Sequence, residues 1–244
     1  MGGEINGSQV VVCHTGVGRE HCQRNIERFF QLVRPDFLIS SGFAGSLTDT
    51  LQVGDLFVAQ NFSDRDLTAK VIQAGAAAAP YQFGGSASPG SRELPPEVLP
   101  AGLQTSVDSV TKVIRPMTLR SVDRMVDSAD GRRRIAQEHA ADAIDMETEV
   151  IAAACAAHSI PLLSLRVISD SLAAPFPAPP EVLFDLTRQR TAFGKLIPYL
   201  VTHPSAVGRL FRFARQIDYA RSTLTDALVG AISVLGGNSF PETA

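Results

Sequence analysis

Short apolar runs alternate along the chain with stretches whose apolar residues recur every three or four positions. Residues 9–14 (QVVVCH) are apolar and β-branched and end at the turn Thr15-Gly16-Val17-Gly18, the pattern of a buried strand. Residues 20–33 place Ile26, Phe29, Phe30 and Val33 at helical spacing, and Pro35 stops the helix. Residues 36–40 (DFLIS) predict a second buried strand, opening onto Ser41-Gly42-Phe43-Ala44-Gly45. Residues 51–60 predict a third, in which Gly54 marks a bulge. Residues 74–97, rich in Ala, Gly, Ser and Pro, read as a long loop or flap rather than a linker, because strands resume after them. Strands are expected over 106–114, 121–127, 141–146 and 160–169. Helices are expected over 130–139, with Asp130 as the N-cap, and over 147–158. Pro175, Pro177, Pro179 and Pro180 exclude a helix there, and residues 181–236 read as two or three helices broken at Pro198 and Pro204.

Strands alternating with helices predict an α/β protein. The expected architecture is three-layer α/β/α, with a mixed, largely buried central sheet and a helical C-terminus. The 244 residues suit one large domain over 1–244, and no repeat of solenoid length is visible. The formal net charge of −3 carries no clustered basic excess, which argues against nucleic acid or an anionic membrane as partner. The one basic run, residues 132–134 (RRR), reads as a solvated helix face. Cys13, Cys22 and Cys155 lack CxxC spacing, so neither a disulfide framework nor structural zinc is expected; Cys13 and Cys155 read as small buried fillers. No leader pattern and no apolar stretch approaching roughly 18 residues is present, so no membrane span and a cytoplasmic location are expected.

Three clusters carry candidate chemistry. In residues 143–149 (AIDMETE) an apolar strand runs into a helix through Asp145, Glu147 and Glu149. Carboxylates at strand ends of α/β proteins face the ligand crevice, and they also suit a helix N-terminus for purely structural reasons. In residues 163–170 (LSLRVISD), Arg166 lies inside a buried strand, where it requires a partner or an anion, and Asp170 ends the strand. A salt-bridged arginine and a capping aspartate are the alternative. Gly16-Val17-Gly18 and Gly42-Phe43-Ala44-Gly45 allow close backbone approach to a ligand, or form plain turns; GxGxxG is not met.

Taken together, TGVG, PDFLISSGFAGSL, VGDLFVA and AIDMETEVIAAACAAHSIPLLSLRVISD resemble the methylthioadenosine/adenosylhomocysteine nucleosidases and their purine nucleoside phosphorylase relatives, in order and spacing from about Gln9 to Asp170. The C-terminal HPS and RFARQ segments resemble, more weakly, a subgroup that includes hopanoid-associated phosphorylases. The resemblance implies that Glu147 hydrogen-bonds the ribose hydroxyls above Met146, with Asp145 beside them. It implies that Asp170, accompanied by Ser169, protonates or hydrogen-bonds N7 of the purine, and that Arg166 helps hold the water or phosphate nucleophile. Ala44 and Gly45 match positions lining sugar and base, and Phe184 resembles an aromatic closing over the 5′ side. A general acid on the leaving base is worth about 10²–10⁴ in rate, so Asp170 is expected to hold a proton.

Three departures from the family's pattern bear on the reaction. The chain opens at what resembles the family's second or third strand; the first carries a water-activating glutamate in nucleosidases, or a phosphate-binding glycine and arginine in phosphorylases. Glu4 is the only early carboxylate, in a different context. Phe43 stands where relatives often carry Ser or Thr, which weakens the phosphorylase reading. In the base-stacking segment 122–125 (VDRM), before Met125, Arg124 replaces the expected Phe and is either a stacking or a surface residue. The leading expectation is hydrolysis of a purine nucleoside of 5′-modified adenosine type. A phosphate-dependent phosphorylase and a non-catalytic nucleoside-binding protein are the alternatives. The resemblance implies no metal or organic cofactor, phosphate as co-substrate only in a phosphorylase, and a homo-oligomer, with a dimer favoured.

Overall fold

A computed structural model describes residues 1–77, 113–172, 176–185, 190–191 and 193–237. In chain order the elements are β1 (Gly2–Ile5), β2 (Ser8–Val11), α1 (Arg19–Leu32), β3 (Leu38–Ser46), β4 (Leu56–Ala59) and α2 (Arg65–Ala77). After the undescribed stretch come β5 (Arg115–Met117), β6 (Leu119–Ser121), α3 (Ala129–His139), β7 (Ala143–Asp145), α4 (Thr148–Ala157) and β8 (Leu162–Asp170). The chain continues with α5 (Pro180–Leu183), β9 (Phe184–Asp185), β10 (Arg190–Thr191), α6 (Phe193–Thr202) and α7 (Ser205–Gly236).

Six strands form one mixed sheet in the order β5-β4-β8-β3-β7-β6. β8 is its axis, parallel to β3 and antiparallel to β4, and all nine of its residues are buried because helices cover both faces. The period-2 alternation of the strand sorts its side chains. Leu163, Leu165 and Val167 pack against Leu67 and Val71 of α2 and Ala220, Ala231 and Leu235 of α7. On the opposite face Leu162 joins Cys22, Ile26 and Phe30 of α1 and Val150, Ile151 and Cys155 of α4. The expected three-layer α/β/α architecture with a mixed, largely buried sheet and helical C-terminus is what forms. β3 and β8 keep register from Leu38↔Leu162 to Ala44↔Ile168, then shift so that Gly45 faces Asp170. This bulge sits where the candidate site residues end the two strands.

Several local expectations give way. Residues 9–14 do not enter the main sheet. β2 pairs antiparallel with β1 as a hairpin, because Asn6 and Gly7, at φ 51 and 83, form the Asn-Gly turn that matches strand twist. Asn6 Nδ2 donates to Ser233 Oγ at 2.6 Å, tying this hairpin to α7. Gly54, at φ 92, makes a turn ahead of β4 rather than a bulge within it. α2 extends through 74–77, capped by Asp64, whose Oδ1 accepts from the N–H groups of Asp66 and Leu67. The rest of the 74–97 loop, and 106–112 of the expected strand, lie outside the described residues. Ser128 rather than Asp130 caps α3, its hydroxyl accepting from Gly131 N–H. The one-turn α5 starts at Pro180, β9 and β10 interrupt the expected helical stretch, and Pro198 lies inside α6, so that of the two expected proline breaks only the one at Pro204 forms. Arg132, read as part of a solvated face, is buried in the body.

Candidate functional site

Two buried arginine clusters lie beside one cavity of about 1580 Å³. In the first, β8 turns Arg166 toward the N-terminus of α4. Its Nε donates to Asp145 Oδ2 at 3.2 Å, Nη1 to the carbonyls of Ser40 (2.8 Å) and Leu165 (2.9 Å), and Nη2 to Ser40 Oγ (2.8 Å) and Thr148 Oγ1 (2.7 Å). A guanidinium has five N–H groups, and all five are engaged. Asp145 is equally committed: Ser121 Oγ donates to its Oδ1 at 2.6 Å, and Thr148 N–H and Oγ1 both donate to its Oδ2. The acid of β7 therefore fixes the start of α4 and neutralises Arg166, as a buried charge requires.

Glu147, the N-cap of α4, is half-buried and lines the cavity. The Gly18 N–H donates to its Oε1 at 2.6 Å. Gly18 takes φ 91 at the start of α1, a conformation that disfavours any other residue. Desolvation pushes the Glu147 carboxyl above the usual carboxylate range; the Gly18 hydrogen bond opposes this, and the neighbouring Asp145 charge adds to it. Met146 is buried beside it and also lines the cavity.

At the other end of the strands Asp170 meets Arg132, the second cluster. Arg132 Nη2 donates to Asp170 Oδ2, Nη1 to the Ser46 carbonyl at 3.2 Å, and Nε to the Val126 carbonyl at 2.8 Å. Both charges are at most 3% exposed. The Ser169 hydroxyl donates to Asp170 Oδ1 at 2.7 Å. Gly45 leaves little room for a side chain here: a Cβ would lie 3.1 Å from Asp170 Oδ2 and 3.4 Å from Arg132 Nη1, so both would have to give by a few tenths of an ångström.

Glu147 and Asp170 thus border the same cavity, with Met146, Phe43, Ala44, Gly45 and Met125 in its wall. Phe43 is 41% exposed, while Ala44 is buried. Arg124 stands apart. After β6 the loop turns Val122, Met125 and Val126 toward the cavity and leaves Arg124 in solvent. Phe184 begins β9, and its side chain lies outside the described residues. Among the described residues no group of three or more His, Cys, Asp or Glu is placed to hold a metal ion. Nor is any helix long and apolar enough to cross a membrane.

Residues 1–201 match the family model of the phosphorylase superfamily. The chain belongs to the phosphorylase superfamily. Within it, the fold is similar to the 5′-methylthioadenosine/S-adenosylhomocysteine nucleosidase of Neisseria meningitidis in complex with methylthio-immucillin-A: TM-score 0.60, 16% identity, 95% of this chain and 84% of that one. It is also similar to the futalosine hydrolase of Helicobacter pylori, with TM-score 0.58, 15% identity, and 95% and 87% of the two chains. The chain thus shares its superfamily with phosphorylases and its fold with solved nucleosidases. Sequence reasoning about this superfamily member overlooked Arg132. The signal was available in helical register, since Arg132 shares the inward face of α3 with Ile135 and Ala136, three and four positions on.

Proposed function

We propose that the protein cleaves the N-glycosidic bond of a purine nucleoside by hydrolysis, with a 5′-modified substrate, of adenosine type on the resemblance. The observation that carries this reading is that Glu147 and Asp170, on different elements, border one cavity that Met146, Ala44 and Gly45 also line. Glu147 grips the sugar diol and favours the cationic, oxocarbenium-like ring electrostatically. The C1′–N9 bond breaks with its electron pair leaving on the base at the Asp170 end. The oxygen of water bonds to C1′, and the proton that water sheds ends on the purine, giving free base and free sugar.

Water is favoured over phosphate for two reasons. Every N–H of Arg166 is already donated to protein oxygens, so it has none for an anion. Phe43 offers no hydrogen-bonding group to one. Phosphate enters as co-substrate only in the phosphorolytic alternative, and no metal or organic cofactor takes part. The same reading takes residues 1–244 as a single unit, cytoplasmic and homo-oligomeric, with a dimer favoured. The test is steady-state release of free base from purine nucleosides by wild type, Glu147→Gln and Asp170→Asn. Each substitution is expected to lower kcat by at least about 10²-fold. Full activity in both variants refutes the reading. Nucleoside binding without turnover supports the non-catalytic alternative, which the engagement of both acids by protein donors favours.

A further inference from the structure

We propose that α6 and the start of α7 form a membrane-docking surface, which seats the protein on an anionic lipid bilayer without crossing it. The inference is independent of the nucleosidase reading.

Both helices are apolar on two sides. α6 turns Leu196, Tyr199 and Leu200 inward, where they pack with Leu183 of α5 and Leu210 of α7. That leaves Ile197 and Val201, four positions apart and so on one face, 61% and 77% exposed. α7 buries Ala206 and half-buries Leu210 and Phe213, yet Val207 and Phe211, again four apart, are exposed, Phe211 by 70%. A helix that is apolar all round belongs in a core or a bilayer, and here the second face of each helix meets solvent. The corner between the two rows, residues 202–205, is exposed throughout.

Charge decides what covers this surface. Residues 186–217 hold six arginines and lysines and no aspartate or glutamate, a net charge of +6, while the rest of the chain carries −9. The overall −3, which argues against an anionic partner, thus hides a segregation along the sequence. Arg209, Arg212 and Arg215 are exposed and in no ion pair among the described residues; the pair that α7 does hold, Arg221 with Asp218, lies beyond them. Arg215 continues the row of Val207 and Phe211 at the same four-residue step, which lets its aliphatic stem follow the apolar row while the guanidinium reaches phosphate. Exposed apolar side chains flanked by unneutralised basic ones are the composition of helices that lie in the lipid interface. A nucleic acid would engage the arginines but leave Ile197, Val201 and Phe211 in water. A second copy packed through the same face would set like charges together. Among the described residues no helix is long and apolar enough to span a bilayer, so the attachment is to its surface.

The test uses the full chain with vesicles of phosphatidylcholine alone and of equal parts phosphatidylcholine and phosphatidylglycerol, at low and high salt, with binding read by co-sedimentation. Anionic vesicles are expected to bind, neutral ones far less, and salt to weaken the binding. Each arginine near an anionic surface is worth about fivefold in affinity, so Arg209→Gln/Arg212→Gln/Arg215→Gln is expected to lose about 10²-fold. Ile197→Ser/Phe211→Ser is expected to lose at least about 10-fold through the apolar area it removes. Circular dichroism confirms that each variant is folded; should the serine variant unfold, the arginine variant, which changes only exposed side chains, decides alone. No binding of wild type to anionic vesicles, equal binding to both compositions, or unchanged binding in a folded variant overturns the proposal. Tighter binding to duplex DNA than to anionic vesicles assigns the surface to nucleic acid and overturns it too. A dimer that Ile197→Ser/Phe211→Ser dissociates, without vesicle binding by wild type, assigns the surface to a second copy and does the same.

Discussion

Replacing Arg166 with Met distinguishes a structural arginine from an anion ligand. The side chain is 3% exposed and donates all five N–H groups within the protein. Methionine keeps much of the aliphatic volume but leaves Asp145 buried without its counter-charge, and Ser40 and Thr148 without a donor. Breaking a buried pair in this way costs about 3–5 kcal/mol, a large part of the roughly 5–15 kcal/mol that holds a domain folded. With a urea slope of about 3 kcal/mol/M, near the upper end for small proteins, the unfolding midpoint falls by about 1–2 M. The double variant Arg166→Met/Asp145→Leu removes both charges and should recover about 0.5–3 kcal/mol relative to the sum of the single changes. Equilibrium urea unfolding followed by circular dichroism reads each value. A midpoint shift in Arg166→Met equivalent to less than about 1 kcal/mol, together with loss of a phosphate-dependent activity, refutes the reasoning and makes Arg166 an anion ligand.

Other consequences are testable on the same footing. Glu147 holds its proton more tightly folded than unfolded, so its contribution to stability is full below the ordinary carboxylate range and is lost as pH rises through the raised value. Unfolding of Glu147→Gln and wild type compared across that window should show the variant gaining relative to wild type with rising pH; a constant difference contradicts the assignment. If Glu147 acts ionised, the acid limb of kcat should lie above the usual carboxylate range and vanish in the same variant. Gly45→Ala should lower stability by about 1–3 kcal/mol through overpacking against Asp170 and Arg132, read as a falling thermal midpoint. Burial pushes Cys22 and Cys155 up to about 11, so a thiol reagent on the native protein should modify only half-exposed Cys13.

Much of the fold was legible where hydrophobic period alone decides the outcome. β8 and the α1 and α4 helices match their predicted segments to within a residue or two. The acids of 143–149 and 163–170 border a common cavity although β7 and β8 run in opposite directions on either side of β3, so that the end of β7 and the end of β8 reach the cavity from opposite ends of the strands. What escaped was decided by features outside that signal. The Asn6-Gly7 turn diverts an apolar run that reads as a central strand, since hairpin geometry overrode composition. α2, capped at its start by Asp64, runs on into a stretch that reads as loop, because its alanines favour helix. Arg132 escaped because its partner, Asp170, is 38 residues away in sequence. Two neighbouring arginines also made it look like part of a charged surface.

In the proposed reaction Glu147 and Asp170 hold a purine nucleoside in one cavity for attack by water. Identifying the sugar product by mass spectrometry, after incubation with a purine nucleoside with and without inorganic phosphate, tests it most directly. Free sugar and free base, formed at the same rate in both conditions, are the predicted result; a sugar 1-phosphate formed only when phosphate is present, or no cleavage in either condition, contradicts it.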